Sequence, residues 1–89
     1  MAMYVILVYD VGGERVAKAC QFCRRFLTWV QNSVFEGELR ESQLKRVESG
    51  LGEIIVEGDD SVLIYVLRDE RWMDRRVMGV KKGEPTNIL

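Results

Sequence analysis

The stretch YVILVYDVGGERV, residues 4–16, constrains this chain more than any other part of its sequence. From Tyr4 to Val11 every side chain is apolar or aromatic except that of Asp10. A strand that faces water on one side alternates apolar and polar residues, and this run does not. It therefore predicts a strand that is covered on both faces, and the break after it is predicted at Gly12 and Gly13.

An amphipathic helix is predicted after the two glycines. Apolar residues recur there at spacings of three and four, and polar residues take the other side. The apolar positions are Val16, Ala19, Cys20, Cys23, Phe26 or Leu27, and Val30, and the polar positions are Arg15, Lys18, Gln21, Arg24 and Arg25. This pattern is typical of a helix that packs on a sheet.

A strand and a second helix are predicted next. Residues 31–38 have a strand-like centre, residues 33–35, and this strand is predicted to end at Gly37. The helix is predicted around residues 40–49, with a single apolar stripe and with Gly50 near its end.

The last third of the chain is rich in residues that favour strands. Residues 62–67 predict a strand, whereas residues 54–56 are compatible with a strand or with an extension of the second helix. Residues 71–74 indicate a turn or a short helical piece, and residues 76–81 predict an edge strand.

The order of these elements indicates the fold class. A chain of 89 residues forms one small domain, and strand, helix, strand, helix and further strands predict an α+β or α/β sandwich of two helices on one sheet. Two helices cover only one face, yet residues 4–11 and 62–67 are apolar on both faces. We expect a second copy of the chain to cover the other face, which predicts a homodimer built sheet to sheet with two-fold symmetry.

Asp10 is the exception in the first strand, and its position suggests a metal site. Side chains alternate along a strand, so Asp10 shares a face with Ile6 and Val8. If that face meets the partner near a two-fold axis, two Asp10 carboxylates approach each other and need a proton or a cation between them. Mg²⁺ fits this requirement and could support phosphodiester cleavage. The alternative is that Asp10 only forms a turn or caps a helix.

The absence of histidine excludes several kinds of site. The chain has two cysteines and no histidine, so a Ser-His-Asp triad and a four-ligand zinc site are both excluded. The pair in CQFC, residues 20–23, falls on the apolar stripe of the first helix, which favours two core cysteines over a redox pair. The VGGERV turn matches no phosphate-loop motif, but its backbone N–H groups and Arg15 could bind an anion.

Basic residues lie mainly near the two ends of the chain. The net charge of −1 argues against a protein that coats nucleic acid. Folding could still join the two ends into one positive face, although an ordinary solvated surface of mixed sign is the alternative. The basic residues at the two ends are Arg15, Lys18, Arg24 and Arg25, and Arg68, Arg71, Arg75, Arg76, Lys81 and Lys82. Trp72, among these arginines, marks the best candidate surface for a nucleic-acid backbone or a protein partner.

The sequence gives no indication of a membrane protein. No apolar run approaches the roughly 20 residues that span a bilayer, and no basic segment with a long hydrophobic stretch opens the chain. We therefore expect a cytoplasmic protein.

Four motifs together resemble a known family. They are MYVILVYDV, ERVAKAC at the start of a helix, QNSVFEGEL, and DDSVLIYVL. In this order and spacing, over residues 3 to about 80, the chain resembles the Cas2 family of CRISPR-associated proteins, which are small subunits of the spacer-acquisition machinery for antiviral defence.

The resemblance implies a fold and a set of partners. It implies a ferredoxin-like α+β sandwich over residues 1–80, with two helices on one face of a four- to five-stranded sheet that dimerises through its other face. Residues 81–89 would form a tail that adds a strand to the partner subunit. A CRISPR integrase subunit and RNA or DNA are the further partners that it implies.

The resemblance also implies a site and two alternative functions. Asp10 of both subunits would hold one Mg²⁺, and Tyr9, Arg15, Ser33 and Phe35 match residues near the family's site. One function is a metal-dependent endonuclease that hydrolyses RNA or DNA. The other is a non-catalytic DNA-binding adaptor that bridges integrase dimers.

Overall fold

A computed structural model of the protein describes residues 2–80. Its sheet has four antiparallel strands in the order β2-β3-β1-β4. In chain order the elements are β1 (Ala2–Asp10), α1 (Arg15–Arg24), β2 (Thr28–Gln31), β3 (Val34–Arg40), α2 (Glu41–Ile54), β4 (Ser61–Leu67) and a single 3-10 turn (Glu70–Trp72). Both helices pack on one face of the sheet, which confirms the predicted α+β sandwich. Within residues 2–80, no helix has the length and the apolar character needed to cross a bilayer.

β1 is a central strand, paired with β3 on one side and with β4 on the other. Its side chains alternate as predicted. Val5, Leu7 and Tyr9 are buried beneath the helices, whereas Ile6, Val8 and Asp10 point to the opposite face, called the open face below. The helix-covered face holds the main core, to which β3 adds Phe35 and Leu39 and the helices add Ala19, Cys23, Val47 and Leu51.

The two cysteines of α1 carry free thiols; Cys23 lies in the core, and Cys20 is partly buried and packs against it. Cys23 has no exposed surface, and burial raises the pKa of its thiol to about 11. Such a thiol is a poor nucleophile at neutral pH, so the structure supports the prediction of core cysteines.

Helix α1 is shorter than the periodicity predicts. The apolar pattern runs to Val30, but the helix ends at Arg24 and residues 28–31 form β2. The N–H groups of Phe26 and Leu27 both bond to the Cys23 carbonyl, which closes a tight turn. After it, Thr28, Trp29 and Gln31 pair with β3, so spacing alone could not separate helix from strand here.

Gly37 lies inside β3 and does not end it, in contrast to the prediction. A Cβ atom at Gly37 would lie 3.2 Å from a methyl carbon of Leu27, because the turn after α1 packs directly over this position. The glycine therefore marks a close approach within a continuing strand.

Helix α2 runs beyond the predicted end at Gly50 and stops at Ile54. Gly50 lies in the helix interior, where the ring of Phe22 from α1 occupies the space that a side chain would need. The sequence of residues 54–56 is compatible with a strand or with an extension of the second helix. In the structure Ile54 belongs to the helix, and residues 54–56 form no strand.

The predicted edge strand over residues 76–81 does not form in the described residues up to Val80. Residues 73–78 instead cross the open face and enclose a groove of about 430 Å³ against Ile6, Val30 and Val34. The segment takes this course because Arg75 pairs with Glu36, a carboxylate that β3 buries on the open face. Lys81, Lys82 and the predicted exchanged tail, residues 81–89, lie outside the described residues.

Candidate functional site

Asp10 is the last residue of β1 and projects from the open face. It is exposed and lies opposite Ser61, the first residue of β4. Behind it on the same face follow Val8 and Ile6, so the carboxylate ends an apolar row. No group of three or more His, Cys, Asp or Glu side chains that could hold a metal ion occurs within residues 2–80. Asp10 is thus a single carboxylate that is accessible to water.

Tyr9 and Phe35, which the family resemblance places near the site, lie in the core on the opposite face of the sheet. Tyr9 is 4% exposed and Phe35 has no exposed surface. Their rings stack at 6.0 Å between centroids with an interplanar angle of 24°. Burial, together with the neighbouring Cys20 thiol, raises the pKa of the Tyr9 phenol to about 12. Both rings therefore anchor the end of β1 from behind and do not face Asp10.

Ser33 lies in the turn between β2 and β3, beside the end of β1. Its carbonyl accepts a hydrogen bond from the Tyr9 backbone N–H at 3.2 Å. The turn is formed by Asn32, whose φ of 47° is in the left-handed region, and the Asn32 carbonyl accepts a bond from Trp29 Nε1 at 2.8 Å. The structure thus brings Ser33 close to the strand end that carries Asp10.

Arg15 does not stand free beside the glycine turn. Its Nε lies 2.6 Å from Oδ2 of Asp60, and its Nη2 lies 3.0 Å from Oδ1. The Gly12 N–H donates to the same carboxylate at 3.0 Å. The turn therefore binds an anion, as its sequence indicates, but the anion within the described structure is the chain's own Asp60.

Asp60 is the functional candidate that sequence reasoning missed. It also accepts a bond from the Val56 N–H at 2.7 Å, and its side chain has no exposed surface. The bonds from Arg15, and next those from the backbone, hold the pKa of this carboxyl well below its usual range. The sequence pattern of residues 58–60 predicts only a turn, and Arg15, the partner of Asp60, is 45 residues away in sequence. No local pattern could have joined them.

The three arginines nearest Trp72 that were predicted to contact nucleic acid, Arg71, Arg75 and Arg76, are each paired with an acid of the same chain. Arg71 pairs with Asp69 and Arg76 with Asp74, each two residues back, while Arg75 pairs with Glu36. Trp72 is 67% exposed among them. The cluster is an exposed surface of mixed sign, with one large aromatic ring at its centre.

Comparison with known proteins gives a family match over most of the chain. Residues 3–75 match the family model described as CRISPR associated protein Cas2. A protein of Methanothermobacter thermautotrophicus named CRISPR-associated endoribonuclease Cas2 is 51% identical over 89 residues, which cover 100% of this chain and 97% of the relative. A protein of Archaeoglobus fulgidus with the name CRISPR-associated endoribonuclease Cas2 2 is 52% identical over 81 residues, covering 91% and 88%.

Solved structures agree with the fold. One crystal structure of a Cas2 protein superposes with a TM-score of 0.84 at 48% identity and covers 92% of each chain. The Streptococcus pyogenes Cas2 structure at pH 6.5 superposes with a TM-score of 0.67 at 32% identity, covering 73% of this chain and 86% of that one.

Proposed function

The chain belongs to the CRISPR-associated Cas2 family, and from this we propose that it is a CRISPR-associated endonuclease that cleaves phosphodiester bonds at Asp10. Endoribonuclease is the activity in the names of its relatives, so RNA is the first substrate to test and DNA the second. The observation that carries the proposal is the position of Asp10, an exposed carboxylate at the end of a buried central strand.

The Asp10 carboxylate is the one ligand that each chain would supply to a Mg²⁺ ion, and its chemistry suits that ion. Mg²⁺ binds through one or two carboxylates and keeps several waters, so a single exposed carboxylate with open access to solvent is compatible with it. When bound, the ion would polarise a phosphate and make a water more acidic. The rigid strand below Asp10, backed by Tyr9 and Phe35, would keep the carboxylate in a fixed place.

A second copy of the chain would complete the site. Residues 73–78 cross the open face over Ile6, but Leu63 and Tyr65 of β4, on the same face, are still 54% and 55% exposed. Apolar side chains of this size, side by side, favour burial against another protein surface. A dimer formed through this face, with its two-fold axis near the strand ends, would bring Asp10 close to Asp10 of the partner subunit. The pair would then share one ion and lose its mutual repulsion.

The experiment is a cleavage assay on labelled RNA and duplex DNA, with Mg²⁺ and with a chelator. Wild-type protein should cleave only with Mg²⁺, and Asp10→Asn should reduce the rate roughly a hundredfold or more. Asp59→Asn is the matched control, since it makes the same change at an exposed turn residue. Equal rates for the wild type and Asp10→Asn would refute the proposal, because the cleavage would then come from another site or from a contaminant.

The DNA-binding adaptor is the second candidate, and the exposure of Trp72 among several arginines favours it. An aromatic ring between cations suits a nucleic-acid surface, although the arginines are already paired. If the adaptor function holds, Asp10→Asn should keep duplex binding, and Trp72→Ala with Arg76→Ala should weaken it and flatten its dependence on salt. Unchanged binding by that double variant would exclude this surface.

A further inference from the structure

The Asp60 carboxylate lies at the centre of a small network of hydrogen bonds. It accepts four bonds, from Nε and Nη2 of Arg15 and from the backbone N–H groups of Gly12 and Val56. The longest of the four is 3.0 Å. A carboxylate has about four acceptor positions, so its capacity is filled. With no exposed side-chain surface, it has no room to exchange these partners for water.

The network joins two segments that are distant in sequence, residues 12–15 and residues 56–60. Gly12 follows β1, Arg15 begins α1, and Val56 belongs to the loop between α2 and β4. Asp60 itself precedes Ser61, the residue that pairs with Asp10 across the sheet. One side chain therefore links the chain just after Asp10 to the strand opposite Asp10.

The glycine turn needs such a link because it has few other contacts. Gly12 and Gly13 are exposed, and nothing lies within 4 Å of a Cβ built on Gly13, whose φ of 58° is in the left-handed region. Two glycines allow many backbone conformations and supply no side chain that could pack. The β1 ladder fixes the chain up to Asp10, and the buried side chain of Val11 fixes the next residue. In the turn itself the Gly12 and Gly13 carbonyls accept bonds from the N–H groups of Arg15 and Val16, and Asp60 is the side chain that holds the Gly12 N–H.

We propose that Asp60 is a positioning residue for Asp10, which acts by fixing the glycine turn that follows it. This rests on the proposed function, in which two carboxylates must meet at one ion with little freedom of position. Asp60 also neutralises Arg15, so the guanidinium next to the site is committed to holding the turn. The role differs from that of a ligand, because Asp60 is enclosed and has no acceptor position left.

The test compares Asp60→Asn with Asp59→Asn, its exposed neighbour, in the full chain. Backbone amide resonances of Asp10 and Gly12 are followed by NMR during a Mg²⁺ titration, and kcat and KM are measured for RNA cleavage. Asp60→Asn should speed hydrogen exchange of the Gly12 amide and shift the Asp10 resonance. It should also weaken the Mg²⁺ response at Asp10 roughly tenfold and lower kcat with little change in KM. Asp59→Asn should match the wild type in all four measurements.

Two results would overturn the proposal. One is an Asp60→Asn protein in which the Gly12 amide changes while the Asp10 resonance and its Mg²⁺ response stay as in the wild type, since Asp60 would then be structural only. The other is an unchanged Gly12 amide. If Asp60→Asn does not fold, Arg15→Ala, which removes two of the four bonds, replaces it and is judged by the same results. A wild type that cleaves nothing refutes the proposed function, while the NMR comparison still decides the role of Asp60.

Discussion

Arg15 holds Asp60 through two parallel hydrogen bonds, Nε to Oδ2 at 2.6 Å and Nη2 to Oδ1 at 3.0 Å. This is the bidentate geometry in which a guanidinium binds a carboxylate most strongly. It connects the first helix to a loop 45 residues away, directly before Ser61, the residue that pairs with Asp10 at the end of the β1–β4 ladder.

The Arg15–Asp60 ion pair should make part of the free energy of unfolding depend on pH in the acid range. The pKa of Asp60 is lowered from its usual 3.8, so on acidification the unfolded chain binds the proton first. The contribution of the Asp60 carboxylate to the free energy of unfolding should be complete above about pH 5. It should decline as the pH falls through and below 3.8. The free energy of unfolding in urea, measured at several pH values, should therefore differ most between wild type and Asp60→Asn near pH 7. Arg15→Ala should reproduce most of this difference. A gap between wild type and Asp60→Asn that is equally large at pH 3 would contradict the prediction.

The contact between Phe22 and Gly50 predicts opposite effects for two similar substitutions. Alanine is favoured over glycine inside a helix by about 1 kcal/mol. Gly52→Ala should stabilise the protein by about that amount, because nothing lies near its Cβ position. Gly50→Ala should instead destabilise it by about 1–2 kcal/mol, since the new methyl group displaces the Phe22 ring.

A double-mutant cycle checks the cause of this difference. In a Phe22→Ala background the obstruction is gone, so Gly50→Ala should become neutral or stabilising, as measured by urea unfolding. If Gly50→Ala costs the same in both backgrounds, the ring is not what requires a glycine at this position.

The raised pKa of the Tyr9 phenol predicts that the folded protein loses stability in alkali. Its pKa of about 12 in the folded protein exceeds the usual 10, so the folded state favours the neutral phenol. The resulting stabilisation is complete below pH 10 and disappears as pH rises towards 12. An absorbance titration of phenolate should show a component near pH 12 that Tyr9→Phe removes. If this component persists in Tyr9→Phe, it belongs to another tyrosine.

Leu63 and Val66 provide a matched test of the proposed dimer. They lie in one strand with similar exposure, 54% and 51%, but Leu63 is on the open face and Val66 on the helix side. Leu63→Lys should weaken self-association roughly a hundredfold in analytical ultracentrifugation, because a charge would be buried in the interface. Val66→Lys should have little effect. A wild type that remains a monomer at high concentration would refute the dimer.

The parts of the fold that were predictable from sequence depend on local patterns. The continuous apolar run identified β1, and alternation alone placed Asp10 on the face of Ile6 and Val8. The errors arose where a tertiary contact overrode a local signal. Gly50 reads as a helix end, but the ring of a neighbouring helix makes it an interior residue. Val30 continues a helical spacing and yet lies in β2, since its neighbours Trp29 and Gln31 pair with β3 on either side of it.

The candidate site was predictable only in part, for a related reason. Asp10 stands out because it is a charge in an apolar run. Asp60 has no comparable signal, because its importance comes from two segments, residues 12–15 and 56–60, that meet only after folding. The pairing of Arg75 with Glu36 was also inaccessible, since it depends on the path of the chain after β4.

The ion pair between Arg75 and Glu36 limits how far the chain can be shortened at its C-terminal side. Within residues 2–80 the last strand ends at Leu67, and a fragment designed from these strands alone would stop there or soon after. Such a fragment would lose Arg75 and leave Glu36, whose side chain is only 10% exposed, without its counter-ion in the middle of β3. Proteolytic trimming near residue 73 should therefore loosen a strand almost 40 positions upstream, and the smallest stable fragment should extend past the last strand.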